Sequence, residues 1–135
     1  MQVQIVTPLG EKFSGTASSV KAVTVAGEVG VLPGHRDMLT ALGTGSCVVS
    51  STEGDEPQLL LLDEGYLQVS ESGDKIIIVT ELAEFPNEID RDGATAELNQ
   101  GLKALDASKE AVGSESWKIL RHNVALAQAR LDIAG

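Results

Sequence analysis

The sequence predicts a β + α chain: an N-terminal antiparallel β-sandwich followed by a C-terminal two-helix antiparallel hairpin. Three observations carry this. From Met1 to about Ala83 apolar residues recur with period two in short bursts between turn residues. After Glu84 the period changes to three and four, with Phe85-Pro86-Asn87 as the joint. Between them lies Gly27 to Gly45, which packs five glycines, a proline and a histidine among apolar residues and reads as a shaped loop. The domains expected are 1–84 for the sandwich and 88–135 for the hairpin.

Taken in order, Val3 and Ile5 before Pro8-Leu9-Gly10 read as a strand and a turn. Val20, Ala22, Val23 and Val25 read as a second strand ending at Gly27. Pro33-Gly34 has Pro at the second and Gly at the third position of a tight turn. Cys47-Val48-Val49 leads to the acidic tip Glu53 to Glu56, a solubilising hairpin end, and then to Leu59 to Leu62, a buried strand. Tyr66, Leu67 and Val69 alternate up to the turn Ser72-Gly73-Asp74, and Ile76 to Val79 is a β-branched run. Short strands at this rhythm predict a sandwich or barrel.

Beyond the joint, Asp90 is placed to cap a helix in which Ala94, Leu98, Leu102 and Leu105 form the apolar stripe. Gly93 and Gly101 weaken it by about 1 kcal/mol each relative to alanine. A turn falls within 106–113. Ser114 then caps a second helix whose apolar positions are Trp117, Leu120, Val124, Ala127, Leu131 and Ala134. Alanine buries little area, so this hairpin is expected to dock on something and to come off again easily.

Composition limits the function. The chain has 135 residues, room for one ordinary domain with an appendage, and its formal charge of −10 repels nucleic acid and anionic lipid. With Cys47 as the single cysteine, an internal disulfide and a thiolate metal cage are excluded, and a reducing compartment is the simple expectation. The longest apolar run is four residues, Leu59 to Leu62, against the roughly 20 a spanning helix needs. A soluble protein without a targeting segment or direct membrane insertion is therefore expected.

Catalytic patterns are sparse. His35 and Asp37, with Glu28 nearby in sequence, offer the residue types of a metal site or an acid–base pair. The competing reading is a loop histidine satisfied by backbone groups. No GxSxG, HExxH, P-loop or GxGxxG pattern occurs. On the second helix Lys118, Arg121, His122 and Arg130 form a basic series that is either solvated or set against a partner's carboxylates.

The motif Gly27-Glu28-x-Gly30-Val31-Leu32-Pro33-Gly34-His35, followed by Met38-Leu39-Thr40 and Gly45, resembles the hallmark of the epsilon subunits of bacterial F-type ATP synthases, whose mitochondrial relatives are called delta. Ile5-Val6-Thr7-Pro8, Phe13-Ser14-Gly15, Gly65-Tyr66-Leu67-x-Val69 and the Ala83 to Asp90 crossing extend the resemblance over nearly the whole chain. It implies about ten strands in the sandwich and a non-catalytic rotor subunit with no cofactor and no bound metal. The sandwich would couple the gamma subunit to the c ring, with Glu28, Val29 and Gly30 toward the ring and Thr7, His35 and Thr40 toward gamma. The hairpin would restrain ATP hydrolysis by reaching toward the alpha/beta hexamer, and the complex would sit on the cytoplasmic face of a bacterial plasma membrane.

Two departures from the family pattern stand out. Some members bind ATP through Ile/Leu-Asp-x-x-Arg-Ala. Here Ile89-Asp90-Arg91-Asp92-Gly93-Ala94 keeps Asp90 but has Gly93 in the arginine's place, so weak or absent nucleotide binding is expected. Asp63-Glu64 precedes Gly65 where a second glycine is common, which implies a different bend at that strand's entry. Two other readings stay open: a free-standing sandwich enzyme built on His35, Asp37 and Glu28, and a generic adaptor with a helical tail.

Overall fold

In the computed structural model, residues 1–51, 54–108 and 111–134 are described. Glu53 of the acidic tip, Lys109 and Glu110 of the turn between the helices, and Gly135 lie outside the described residues. The chain forms two compact units, Met1–Phe85 and Pro86–Gly135.

The first unit contains β1 (Gln2–Thr7), β2 (Gly10–Thr16), β3 (Ser19–Thr24), β4 (Gly27–Val31), β5 (Met38–Ser50), β6 (Gln58–Ser70) and β7 (Lys75–Glu84). They join in the order β2-β1-β7-β6-β5-β3-β4. Every pairing is antiparallel except β1 with β7, which is parallel. No hairpin joins those two strands, so nothing in the connection forces them antiparallel. Val3 and Ile5 of β1 share one buried cluster with Val20, Ala22 and Val31 of β3 and β4, near the opposite side of the sheet order. The sheet therefore folds over on itself into two layers with an aliphatic core between them.

The strands are longer than sequence reading expects. β5 and β6 run 13 residues each, passing through glycine positions that read as breaks. Pairing skips one step where Leu42↔Gly65 is followed by Thr44↔Asp63, and β6–β7 pairing skips at the same place. Glu64 there has φ +54° and Gly65 φ +126°. A side chain on Gly65 would overlap the Val79 carbonyl, so only glycine lets the strands meet at this bulge. Counting β5, β6 and β7 as two segments each, one on either side of the bulge, turns seven strands into ten. The Thr80 hydroxyl lies 2.7 Å from the Glu64 carbonyl, and the buried Asp63 accepts from the Thr44 hydroxyl at 2.8 Å, so the kink's polar groups are satisfied.

Burial follows the pleat. Along β1 and β6, Val3, Ile5, Leu60, Leu62, Leu67 and Val69 point into the core, and Leu61 is buried as well. Cys47 sits in this core, where burial pushes its thiol up to about 12 from 9.0.

The second unit contains α1 (Arg91–Ala107) and α2 (Glu115–Ala134). The Asp90 carboxylate accepts from the Gly93 N–H at 3.1 Å, and the Ser114 hydroxyl accepts from the Trp117 N–H at 3.3 Å, so both predicted caps form. The α2 stripe is as expected, from Trp117 to Ala134. On α1 one position differs: Leu102 is half exposed, and Gly101, Ala104 and Leu105 take the covered side with Ala94 and Leu98. Only Ala94 and Ala127 are fully buried among the described residues of these helices.

Candidate functional site

The stretch that reads as one loop is an edge strand, a turn and the start of a long strand. His35 N–H donates to the Leu32 carbonyl at 3.0 Å, closing the turn at Pro33-Gly34, and Gly34 has φ +88°. That is the type II turn the Pro-Gly pair requires. The short helical turn Glu71–Gly73 backs onto it. A side chain on Gly73 would come within 2.8 Å of the Gly34 nitrogen, and the Ser72 N–H donates to Asp37 Oδ1 at 3.1 Å. Two turns distant in sequence thus brace each other, and His35 is held at a fixed corner of the sandwich. Its Nδ1 lies 2.7 Å from the Arg36 carbonyl, an acceptor, so Nδ1 carries the proton and donates.

Glu28, Val29 and Gly30 lie on β4, which pairs with β3 alone and so exposes one backbone edge. Val29 pairs with the buried Ala22 and packs on the core, whereas Glu28 and Gly30 face outward. Glu28 carries a long ion pair to Lys21 at 3.6 Å, with both side chains mostly exposed. The outward surface here is therefore Glu28, Gly30 and the strand edge, and Val29 contributes little side chain to it.

Thr7, His35 and Thr40 are not brought together. Thr7 ends β1 and its hydroxyl accepts from the Leu9 N–H at 3.1 Å, closing the β1–β2 turn. His35 lies by the Glu71–Gly73 turn at the Gln2 end of the six-residue β1, so one strand length, about 17 Å, separates the two. Thr40 shares the inward row with Leu67, Ile78 and Ile5, and its side chain is partly covered.

What joins the two ends is a feature that sequence reading misses. On the outer face of β5, β6, β7 and β1, Ala41, Tyr66, Val79 and Val6 stand side by side in register, with Leu39 one row away beside Gln68 and Ile77. Leu39 is 68%, Tyr66 59% and Val79 51% exposed. The flanking polar groups are the amides of Gln4 and Gln68 and the Glu11 carboxylate, which pairs across from Val6 and accepts from Gln4 at 3.3 Å. An exposed apolar face of this kind stands out on a chain of formal charge −10. The signal in sequence is that Tyr66 and Val79 break the apolar-in, polar-out alternation.

The residues of the enzyme alternative are likewise apart. Glu28 pairs with Lys21, Asp37 accepts from Ser72, and His35 donates to Arg36. Among the described residues these three do not share a common ligand set. The buried thiol of Cys47 is held neutral and offers no nucleophile.

On the hairpin, the basic series splits. Arg121 lies over the Trp117 ring at 5.4 Å and is exposed, Lys118 is exposed and His122 is half-buried. Arg130 is nine positions beyond Arg121, about 180° around the helix at 100° per residue. It turns to α1 and donates to Glu97 at 3.3 Å. The four residues therefore do not form one partner-facing surface. At the start of α1 a side chain on Gly93 would come within 2.6 Å of the Asp90 carboxylate, so Gly93 leaves room for the cap where a nucleotide-binding arginine would stand.

Residues 1–86 match the family described as "ATP synthase, Delta/Epsilon chain, beta-sandwich domain". Over 134 residues the chain is 36% identical to the ATP synthase epsilon chain of Thermobifida fusca, covering 98% of this chain and 90% of that one. Its fold is similar to a chain in the Euglena gracilis mitochondrial ATP synthase, with TM-score 0.74 and 21% identity, over 93% of this chain and 74% of that one. It is also similar to a chain in the central stalk and c-ring structure of the Tetrahymena thermophila mitochondrial ATP synthase, with TM-score 0.62 and 14% identity, over 99% and 96%. By its matched domain and its full-length relatives, the chain belongs to the ATP synthase delta/epsilon chain family.

Proposed function

We propose that this chain is the non-catalytic epsilon subunit of a bacterial proton-translocating ATP synthase, a rotor part that couples gamma to the c ring. The complex would lie at the cytoplasmic face of the plasma membrane. The chain itself has no described helix long and apolar enough to cross a bilayer. The observation that carries the reading is the exposed apolar face of Leu39, Tyr66 and Val79, which runs between the His35 corner and Thr7. Gamma is its occupant, and His35, Thr40 and Thr7 lie along or beside it. Glu28 and Gly30 on the free β4 edge face the c ring, across the sheet order from β1 and β2.

The hairpin supplies the regulation. Among the described residues of α1 and α2 only Ala94 and Ala127 are fully buried and the larger apolar side chains are covered in part, which suits an element that moves toward the alpha/beta hexamer and restrains hydrolysis there. Lys118 and Arg121, exposed on α2, address carboxylates on that partner. Nucleotide is not the signal, because Gly93 removes the phosphate fork and its place is taken by the Asp90 cap.

The test is binding of purified gamma to the full chain and to Tyr66→Asp. A charge placed at the centre of an apolar interface costs several kcal/mol, so affinity should fall at least about a hundredfold while the sandwich melts unchanged. Equal affinity would sink the assignment of this face.

A further inference from the structure

We propose that the seam between α1 and α2 is a latch tuned by Gly101, whose missing side chain lets Val124 seat against α1 and keeps the hairpin closed without committing it. This deepens the regulatory reading above and rests on it only for its biological use. The helices are covered only in part: among the described residues Leu98, Leu105, Trp117, Leu120, Val124 and Leu131 are half-buried. Their fully buried residues are two alanines, Ala94 and Ala127. An open groove of about 410 Å³ also runs between Gly101 and Ala104 on one helix and Leu120 and Leu126 on the other, rimmed by Glu97, Gln100, Asn123 and Arg130. A helix pair built for permanence fills such a space with leucine or isoleucine.

Two contacts between the helices bear on the fit. Val124 Cγ2 would stand 2.7 Å from any Cβ at position 101, nearer than real atoms approach. A valine in a helix strongly prefers one χ1 well, so swinging aside to admit a methyl is costly. The second contact is the Arg130–Glu97 pair at 3.3 Å, in which the arginine is largely covered and the glutamate largely exposed. Open to water on one side, that pair is readily screened and adds little. The seam therefore includes a steric fit that one methyl disturbs.

The position has an unusual sign. In a helix that matters only as a helix, Gly101→Ala improves the backbone's preference and tightens the structure. In a latch it parts the helices. Nitroxide labels at Ala96→Cys and Ala125→Cys, both exposed sites, read the separation in the full chain, and buried Cys47 stays unlabelled because its thiol is held protonated. Wild type should give a dominant short distance. Gly101→Ala should raise the long-distance fraction roughly tenfold, within the effect of overpacking by one methyl. Adding Val124→Ala should restore the short distance.

Helical content must hold or rise in Gly101→Ala; if it falls, the helix has unravelled rather than moved and the latch is overturned. An unchanged distance distribution, or one that Val124→Ala does not reverse, overturns it as well. Because the measurement uses the free chain, it is separable from ATP hydrolysis by the assembled enzyme. A shifted distance with unaltered hydrolysis would defeat the regulatory reading and leave the latch standing.

Discussion

The sandwich and the hairpin are built from the same aliphatic alphabet and hold together in different ways. In the sandwich, Ile5, Leu60, Leu67, Ile76 and Ile78 are fully covered. Each large side chain buried this way contributes about 1.5–3 kcal/mol. In the hairpin the fully covered residues are alanines, while Leu102 and Ile119 are 49% and 58% exposed. The same aliphatic residues thus give a sandwich closed over large side chains and a hairpin whose fully covered positions are small.

The comparison can be broken most sharply at Gly65. Gly65→Ala places a methyl on the Val79 carbonyl at a φ that side chains rarely adopt, and it should cost more than about 4 kcal/mol, seen as a collapse of the urea midpoint or loss of soluble protein. Next in size, Leu67→Ala should cost about 2–5 kcal/mol by thermal unfolding. Leu120→Ala, which faces an open cavity, should cost less than about 1.5 kcal/mol and leave the sandwich transition unmoved. If the two leucines cost the same, the contrast between the units fails.

Alkaline pH should act on the sandwich through Cys47. The Cys47 thiol is raised from 9.0 to about 12 in the folded chain, so its contribution is intact below pH 9 and declines as pH climbs from 9 toward 12. There the unfolded chain has lost a proton that the folded chain keeps, and stability falls by up to about 1.4 kcal/mol per pH unit. Cys47→Val should remove that slope. The smallest effect belongs to the helix cap: Asp90→Ala should cost about 1 kcal/mol, confined to α1 and visible as faster amide exchange in its first turn.

Much of this contrast is legible in sequence because it is written in periodicity. The period-two bursts give the strands, the Pro33-Gly34 pair gives its turn, and Asp90 and Ser114 give the helix starts. What escapes is long-range. Gly43 and Gly65 look like breaks, yet β5 and β6 pass straight through, since a bulge needs glycine for close approach and does not end the strand. Gly73 braces the His35 turn across some 38 positions of sequence, which no local pattern encodes. Gly101 reads as a weak point in a helix and is a contact point between two. Arg130 reads as part of a basic face, although its nine-residue spacing from Arg121 already places it on the opposite side.

The central claim is that the sandwich holds and the hairpin yields, and native-state hydrogen exchange on the full chain tests it most directly. Amides of 91–133 should exchange through openings several kcal/mol smaller than those of β1, β6 and β7. Equal protection in the two units, lost together in one global transition, would contradict it.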